Sequence, residues 1–494
     1  MYRIPRSILS LFLHLLPCFG SPVPSTGTGT ETEMPLPLRI VRTSRTPNGF
    51  TCPPRGWSSF GLQANPSINP SFTFDQEHVI QQADALVAAL PNSSDLLKTG
   101  DYYISLDSGW SIGDHGDEYG RIVYDPSEFD IPALAEYLHS KGLKLGVYVL
   151  PGAFCKDGNK TILGTDILIK DTWSGNNNGF ARCDFDFEKE GVQEWHDSVV
   201  NLFAEWGVDL IKLDFITPGS PDNGGHLPPD NSGSVIAYHK AIQASGRQMR
   251  LDISWKLERN ATYFKIWETN ADSMRTDQDI NNSGSATFVA WATVQRAIDN
   301  YRDFISRVVA ASDEPVLSIY PDMDNLFVGN SEAITGVPDV KRETMATHWI
   351  GAAANLITGS DMTKLDALGI RLLSDPEALS VAQFTAKFPM QARNPGTGRN
   401  ESQQLQAWIA GPDDDGVAVV VLANYGPDEG QGGFKTQLQG PQVINVTWED
   451  LGISGGYSIR DVWARADLGT FYNGISATLD EGESQLLMLR PVHT

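Results

Sequence analysis

The sequence predicts an α/β protein, a (β/α)8 barrel of the TIM type followed by a C-terminal antiparallel β-sandwich domain. The chain has 494 residues, too many for one typical domain and enough for a barrel and a smaller second domain. Short apolar runs alternate with helical patterns up to about residue 380, which is typical of βα units around a parallel sheet. We expect the barrel over 46–385 and the β domain over 390–494.

Eight runs are strand candidates for the barrel. They are "RGWSSF" (55–60), "YYISLDSGW" (102–110), "LKLGVYVLP" (143–151), "DLIKLDFI" (209–216), "MRLDISW" (249–255), "SMRTDQDI" (273–280), "PVLSIYPDMD" (315–324) and "NLITGSDM" (355–362). Helical patterns lie between them, such as "VQEWHDSVVNLFAEWG", which ends at Gly207. The repeated unit indicates a closed parallel barrel.

The pattern of the chain changes after Phe384. Short runs such as "QAWIA", "VAVVVLAN", "VINVTW" and "QLLMLR" are separated by turn signals, which predicts an antiparallel β domain. The stretch "DDDG" lacks the spaced ligands of a calcium loop and is interpreted as a hairpin turn. No exposed aromatic row stands out in these strands, so we interpret the domain as structural rather than polysaccharide-binding.

The N-terminus is typical of a secreted protein. Arg3 and Arg6 precede the apolar run Ile8–Phe19, and small residues follow it, as in a signal peptide over 1–20. The alternatives are a buried helix or a membrane anchor, but the run is too short to span a bilayer. Residues 21–45, rich in Pro, Ser, Thr and Gly at their start, are expected to form a disordered leader.

Cysteines and glycosylation motifs fit an extracellular location. An oxidising compartment favours one disulfide, and we expect Cys155–Cys183 because both flank one long loop, which leaves Cys52 over. No zinc-ligand spacing occurs. The N-x-[ST] acceptors are Asn92, Asn159, Asn260, Asn281, Asn400 and Asn445.

The net charge of −24 and the absence of a Lys/Arg cluster argue against nucleic-acid binding, and no membrane partner is expected. The acidity is interpreted as a means of staying soluble in a mildly acidic medium.

Aspartates gather at one end of the predicted strands. They stand at or just past the C-terminal strand ends, the face on which such barrels build active sites. One or two of them are expected only to cap the following helix. The set is Asp107, Asp214, Asp252, Asp279, Asp322, Asp324 and Asp361.

The stretch "LIKLDFI" carries two charges in an otherwise apolar strand. Lys212 and Asp214 are two residues apart and therefore share one face. A nearby cation keeps a carboxylate ionised at acidic pH and can bind a sugar hydroxyl. Two carboxylates at one barrel mouth are the minimum for glycoside hydrolysis. The alternative is a structural ion pair inside the barrel.

Several stretches match the motifs of one known family, in the same order along the chain. "PPRGWSSF" resembles "PPMGWNSW", "EWGVDLIKLDFI" resembles "dWGvDylKyDnC", and "ADSMRTDQDI" resembles "gNsWRttgDI". "YYISLDSGW" and "YPDMDNLFVGN" resemble "YVNIDDCW" and "WNDPDMLevGN". From about residue 50 to 370 the chain therefore resembles glycoside hydrolase family 27, the α-galactosidase family of clan D.

The resemblance implies an exo-glycosidase that acts on an oligosaccharide or polysaccharide by retaining double displacement, without metal or cofactor. It makes Asp214 the nucleophile, which forms a glycosyl-aspartate, and Asp279 the acid/base. We expect the two carboxyl groups to stand roughly 5–5.5 Å apart, and the pKa of Asp279 to lie above that of Asp214. Substrate-binding roles are implied for Trp57, Asp107, Lys212, Arg275 and Asp324.

The sequence departs from the family where sugar hydroxyls are recognised. The family's "Asp-Asp-Cys" is Asp107-Ser108-Gly109, its Cys after the nucleophile is Ile216, and its "Cys-Glu-Trp" is 253–255. We therefore add further substrate-binding candidates, namely Ser108, Asp252, Ser254, Trp255 and Asp322.

These departures leave the sugar open. An α-galactosidase is the leading hypothesis, because that activity dominates the family. A relative acting on β-L-arabinopyranosides or on isomaltose units of dextran is the first alternative, since altered polar groups change the sugar more readily than the reaction. A non-catalytic carbohydrate-binding relative is the second, although binding alone needs no activated pair of carboxylates.

Overall fold

The computed structural model describes residues 35–90, 101–219 and 226–492. The predicted signal peptide, the first part of the predicted leader and Asn92 lie outside the described residues.

Within the described residues, eight parallel strands form the predicted barrel. They are β1 (Arg55–Ser58), β2 (Tyr102–Leu106), β3 (Lys144–Val149), β4 (Leu210–Leu213), β5 (Arg250–Ile253), β6 (Ser273–Arg275), β7 (Tyr320–Asp322) and β8 (Leu356–Thr358). Each strand lies inside a predicted run and ends before the last residues of that run. The run 315–324 also contains Val316–Leu317, which lies outside the barrel sheet.

Backbone hydrogen bonds close the barrel between its last two strands. Each strand from β1 to β6 pairs with the next along the chain, and β8 pairs with β1. The N–H of Asn355 donates to the carbonyl of Pro321 (3.1 Å), and the N–H of Leu326 donates to Ile357 (2.8 Å). The predicted (β/α)8 architecture is confirmed.

Helices surround the barrel because each presents an apolar stripe to the strands. The helix predicted to end at Gly207 spans Val192–Trp206 and buries Trp195 and Phe203, with Gly207 at φ +86°, a conformation that favours glycine. The outer helices are Gln76–Ala89, Ile131–Ser140, Val192–Trp206, Gly233–Ser245, Ala261–Asn270, Trp291–Ala311, Asp339–Gly351, Ala367–Ser374 and Pro376–Thr385, with the short helices Phe60–Ala64 and Glu332–Thr335.

A small antiparallel sheet is inserted after β3, at the C-terminal end of the barrel. Its strands are Ala153–Phe154, Trp173–Asn177 and Arg182–Phe185. The expected disulfide Cys155–Cys183 joins the first strand's end to the third strand, and Cys52 is a free thiol.

The expectation of a disordered leader up to residue 45 is wrong for its last residues. Arg42–Thr43 forms a short strand paired with Val316–Leu317, and Val41 is buried. The N–H groups of Arg42 and Thr43 donate to the carbonyls of Pro315 and Lys387, at 3.0 and 2.9 Å. The backbone hydrogen bonds and the burial of Val41 offset the conformational entropy that is lost when these residues become ordered. The composition of the leader had predicted that this entropy would keep them disordered.

The C-terminal residues form the predicted antiparallel domain. Its strands are β9 (Gln391–Ala392), β10 (Leu405–Ala410), β11 (Ala418–Asn424), β12 (Gln442–Thr447), β13 (Tyr457–Asp461), β14 (Ala466–Phe471), β15 (Gly474–Leu479) and β16 (Glu483–Pro491), with helix Trp448–Leu451. β12 and β15 pair with each other and the other six form one sheet. Apolar side chains from both sheets, such as Val420 and Ile444, pack into one core.

No helix in the part of the chain that the structure describes is long and apolar enough to cross a membrane.

Candidate active site

Strand register places a row of polar side chains across the barrel. Tyr148 on β3 lies opposite Lys212 on β4, which lies opposite Asp252 on β5, and Asp252 lies opposite Ser273 on β6. These residues come from strands far apart in sequence, so only the parallel pairing brings them together. The site is therefore assembled by the sheet itself.

The ammonium of Lys212 pairs with Asp107, which directly follows β2. Lys212 Nζ lies 2.8 Å from Asp107 Oδ2, and both side chains are largely buried. Burial lowers the pKa of Lys212, but the negative charges of Asp107 and Asp214 together raise it by more. The net pKa therefore lies above the ordinary value. Lys212 thus stays charged, and it hydrogen-bonds Asp107 while acting on Asp214 through its field.

Asp214 lies directly beyond β4, at the C-terminal face of the barrel. The Tyr148 hydroxyl and the Ser254 hydroxyl hydrogen-bond its carboxylate. Burial and the charges of Asp107 and Asp279 raise the pKa of Asp214, while Lys212 and the Ser254 hydrogen bond oppose that rise. Asp279 is therefore close enough for its charge to act on Asp214.

Asp279 lies at the opening of the site, with 52 % of its side-chain surface exposed. Arg275 Nη2 contacts its Oδ1 at 2.9 Å. Partial burial raises the pKa of Asp279, but Arg275 and then Lys212 lower it more, and the net pKa lies below the ordinary value. The expectation that the pKa of Asp279 exceeds that of Asp214 is therefore wrong in this structure, because the sequence does not show which carboxylate the guanidinium contacts.

Asp324 supports the turn that carries Asp279. Its Oδ2 accepts the N–H of Ile280 at 2.8 Å and lies 3.3 Å from Arg275 Nη2. Burial raises the pKa of Asp324 to about 6, against the lowering effect of Arg275. With its oxygens engaged by the protein and 4 % of the residue exposed, Asp324 is placed to position Asp279 and Arg275.

A second contact to this turn comes from the helix after β6. Arg296 donates to the carbonyl of Asp279 at 2.8 Å and, through Nε, to the buried carboxylate of Asp277 at 2.7 Å. The turn from 276 to 280 is therefore held from two sides, by Asp324 and by Arg296.

Asp252 and Asp322 lie in the barrel interior rather than at its mouth. Asp252 is buried, and its Oδ1 accepts the Ser273 hydroxyl at 2.9 Å. Burial and the nearby charge of Asp322 raise the pKa of Asp252 well above the ordinary value. Asp322 accepts the N–H of Asp324 at 2.9 Å. Both carboxylates are thus buried and engaged by donors of the protein itself.

The remaining sequence candidates divide into buried and accessible residues. Trp57 has no exposed surface, and its indole N–H donates to the Ser360 carbonyl (2.9 Å). Ser108 is exposed beside Asp107, whose Oδ1 accepts the N–H of Ser108 at 2.8 Å. Trp255, directly after Ser254, is partly exposed.

Two contributors to this site, Tyr148 and Arg296, were not among the candidates that the sequence predicted. Tyr148 has a readable signal, since it is the one side chain with a polar group between Leu145 and Leu150. Arg296 lies on a helix whose charged residues look like an ordinary solvent face.

The arrangement combines two carboxylates of different environment with two fixed cations. One carboxylate is held inside by hydroxyl donors, and the other faces the opening and contacts a guanidinium. Such a pair can attack an electrophilic carbon from one side and transfer a proton from the other. Among the residues that the structure describes, no three His, Cys, Asp or Glu side chains are grouped as a metal site requires.

Comparison with known proteins agrees with this geometry. The chain matches the family described as "Alpha galactosidase A" over residues 53–189 and 186–384, and the "Alpha galactosidase C-terminal beta sandwich domain" over 402–489. It is 50 % identical over 466 residues to α-galactosidase 3 of Hypocrea jecorina, covering 92 % of this chain and 73 % of that protein.

Solved structures share the fold at low identity. A GH27 β-L-arabinopyranosidase from Geobacillus stearothermophilus superposes with a TM-score of 0.71 at 23 % identity, covering 90 % of this chain and 97 % of that one. The α-galactosidase of Saccharomyces cerevisiae with raffinose gives a TM-score of 0.62 at 16 % identity, covering 91 % and 100 %. The family match across barrel and sandwich, with the 50 % identical relative, shows that this chain belongs to the α-galactosidase family, glycoside hydrolase family 27.

Proposed function

We propose that this protein is a retaining α-galactosidase that hydrolyses terminal α-D-galactosyl residues of oligosaccharides or polysaccharides. The observation that carries the proposal is the pair Asp214 and Asp279, which follow β4 and β6 at the C-terminal barrel face, influence each other electrostatically and have different environments. The 50 % identity to an α-galactosidase over 92 % of the chain supports this choice of sugar.

In the first step, an Asp214 oxygen forms a bond to the anomeric carbon while the bond to the leaving oxygen breaks. Asp279 gives its proton to that oxygen, so the leaving group departs as a neutral alcohol. The hydroxyls of Tyr148 and Ser254 hold the Asp214 carboxylate in place for the attack. Lys212 stabilises the ionised form of Asp214 through its charge.

In the second step, water attacks the anomeric carbon of the glycosyl-aspartate. Asp279 takes a proton from that water, and the ester bond to Asp214 breaks to return its carboxylate. Arg275 stabilises the ionised Asp279 that the first step leaves behind. The contact with Arg275, which opposes protonation of Asp279, therefore favours the second step.

Proton donation by Asp279 requires the bound glycoside to change its environment. A leaving oxygen beside Asp279 displaces water and competes with Arg275 for the carboxylate. Both effects disfavour the charged form and raise the pKa of Asp279. We infer that substrate binding itself prepares the acid.

We also propose that the enzyme is secreted and works outside the cell. The disulfide Cys155–Cys183 fits an oxidising compartment. Four N-x-[ST] acceptors are exposed and could carry glycans, namely Asn159, Asn260, Asn400 and Asn445.

A β-L-arabinopyranosidase is the second candidate, because the fold is shared with a GH27 enzyme of that activity. The specific observation in its favour is Ser108, a neutral and exposed residue where the family has a second carboxylate. A site that lacks one hydroxyl-binding group discriminates less against a sugar that lacks the hydroxyl.

The test is nitrophenol release at about pH 4–6, where a carboxylate nucleophile is ionised and an acid can stay protonated. The panel contains α-D-galactoside, β-L-arabinopyranoside, α-N-acetylgalactosaminide and α-glucoside. We expect the α-galactoside to be the best substrate, and Asp214→Ala to lower its turnover by at least ~1000-fold with unchanged circular dichroism. Faster turnover of another sugar would replace the proposed specificity, and an active Asp214→Ala protein would refute the role of Asp214.

A further inference from the structure

A loop of the β domain is bonded to the barrel helix Trp291–Ala311. The loop spans 425–434, directly after β11. The side-chain amide of Gln295, on the helix, is buried and donates to the Pro427 carbonyl at 3.0 Å. The oxygen of the same amide accepts the N–H of Glu429 at 3.0 Å. We call this loop the strap, because it holds the helix through both ends of one buried side chain.

The strap is held in shape by its own Asp428. The Oδ1 atom accepts the N–H groups of Gly430 and Gly432 at 2.7 and 2.8 Å, and Oδ2 accepts the N–H of Phe434 at 3.0 Å. Burial raises the pKa of Asp428, but these N–H groups lower it by more, so the net pKa lies below the ordinary value. Phe434 also stacks on Tyr425, with ring centroids 5.6 Å apart. The strap therefore has a defined conformation.

Gln431 of the strap contacts Arg296, which follows Gln295 on the helix. Arg296 Nη1 donates to Gln431 Oε1 at 2.9 Å. The other nitrogens of this guanidinium group hold the turn from 276 to 280, since Nε donates to Asp277 and Nη2 donates to the Asp279 carbonyl. Because the guanidinium group is planar, a bond to one terminal nitrogen also restricts the direction of the other. The β domain thus contacts the arginine that supports the backbone of Asp279.

We propose that the strap positions the acid/base, with Gln431 as the positioning residue. This inference rests on the proposed function, in which Asp279 gives its proton to the leaving oxygen. Gln431 acts through Arg296, whose bond to the Asp279 carbonyl fixes the backbone from which the carboxyl group extends. The β domain then takes part in catalysis, in addition to packing against the barrel.

The physical reason is the flexibility of an arginine side chain. Arginine has many rotamers, and holding it in one of them costs conformational entropy. The bond to Gln431 restricts Arg296 before a substrate binds, so the turn is already in place when the glycosidic oxygen arrives. Displacement of a reacting group by about 1 Å can lower the rate by as much as ~100-fold. Loss of Gln431 alone removes one of the bonds of Arg296 and should have a smaller effect than loss of Arg296.

The test compares a substrate that needs the proton with one that does not. Raffinose leaves sucrose, a poor leaving group, whereas a dinitrophenyl α-galactoside leaves a phenolate that departs without a proton. We expect Gln431→Ala to lower the ratio of kcat/KM for raffinose to kcat/KM for the dinitrophenyl substrate by about three- to tenfold, as for loss of one hydrogen bond. Gln431→Glu keeps an acceptor for Arg296 and should hold the ratio within about twofold of the wild-type value.

A double substitution shows whether Gln431 acts through Arg296. Adding Gln431→Ala to Arg296→Gln should change the ratio no further than Arg296→Gln alone, because the bond between the two side chains is already lost. The matched control is Gln439→Ala, which removes another exposed glutamine of the β domain and should leave the ratio at its wild-type value.

Three results would overturn the inference. They are an unchanged ratio in Gln431→Ala, an equal loss of kcat/KM for both substrates in that variant, and an additional loss in the double variant. Turnover of the dinitrophenyl substrate also reports that each variant has a folded active site. Wild-type protein that hydrolyses neither galactoside would contradict the proposed function itself, whereas active wild-type protein with any of the three results would refute only the role of the strap.

Discussion

Asp214 and Asp279 have the same side chain and different neighbours. Asp214 is surrounded by hydroxyl donors and by carboxylates, and burial with these negative charges raises its pKa. Asp279 contacts Arg275, and despite burial the cations lower its pKa. At the scale of single residues, the Asp214 carboxylate is held in place, whereas the charge of Asp279 depends on what binds beside it.

The Ser254 hydroxyl offers the simplest way to change the pKa of Asp214, the proposed nucleophile, by a single substitution. Its hydrogen bond lowers the pKa of Asp214, so Ser254→Ala should raise that pKa further. Activity needs ionised Asp214 and is lost as the pH falls through its pKa. The acidic limb of the kcat/KM profile should therefore move to higher pH by about one unit.

Ser254→Thr is the matched control for this prediction, because it keeps a hydroxyl at the same position. Its acidic limb should stay near that of the wild type. A limb that does not move in Ser254→Ala would show that this hydroxyl has no part in setting the charge of Asp214.

At the scale of elements, the turn from 276 to 280 carries Asp279, the proposed acid/base. Arg296 donates to the Asp279 carbonyl and to Asp277, and Asp324 accepts the N–H of Ile280. None of these contacts uses the Asp279 carboxylate itself. The turn is thus positioned through its backbone, which leaves the side chain available for the glycosidic oxygen.

Arg296→Gln should loosen this turn and impair proton donation. A poor leaving group needs the proton and a good one does not. We expect kcat/KM to fall about 10–100-fold for raffinose and less than about threefold for a dinitrophenyl galactoside. An equal loss for both substrates would indicate a general structural defect and would contradict a positioning role for Arg296.

Strand ends are also where the sequence was most informative. Asp214 and Asp279 could be placed at the barrel mouth, because a strand and the residue that follows it are local in sequence. The ion-pair partner of Lys212 could not be predicted in this way, because its pairing with Asp107 depends on the register of strands across the barrel. Asp324, which supports the turn that carries Asp279, has a positive φ of +76°. Nothing in the sequence indicates this backbone conformation.

At the scale of the whole molecule, barrel and β domain share one hydrophobic core. Trp349 and Val381 of the barrel belong to the same buried cluster as Trp408, Val419 and Trp463 of the β domain. Trp463 also donates its indole N–H to Thr347 Oγ1 at 2.8 Å. The β domain therefore packs directly against the barrel, and we expect this contact to stabilise the barrel.

Trp463→Ala should destabilise the barrel as well as the β domain. Loss of a buried tryptophan costs about 3–5 kcal/mol of unfolding free energy, and here the cavity opens between the two parts. We expect loss of activity and loss of circular dichroism to occur together at a lower denaturant concentration than in the wild type. Replacement of the exposed Tyr472 (Tyr472→Ala) serves as control and should change the unfolding free energy by no more than about 0.5 kcal/mol. A barrel that keeps its activity while the β domain unfolds would contradict this coupling.

The central claim is a double displacement through Asp214, and the first anomer released tests it most directly. Proton NMR spectra recorded within the first minutes of p-nitrophenyl α-galactoside hydrolysis distinguish α-galactose from β-galactose before mutarotation mixes them. A double displacement releases α-galactose first, with configuration retained, as expected for carboxyl groups roughly 5–5.5 Å apart. Initial release of β-galactose would mean a single displacement by water and would contradict the role assigned to Asp214.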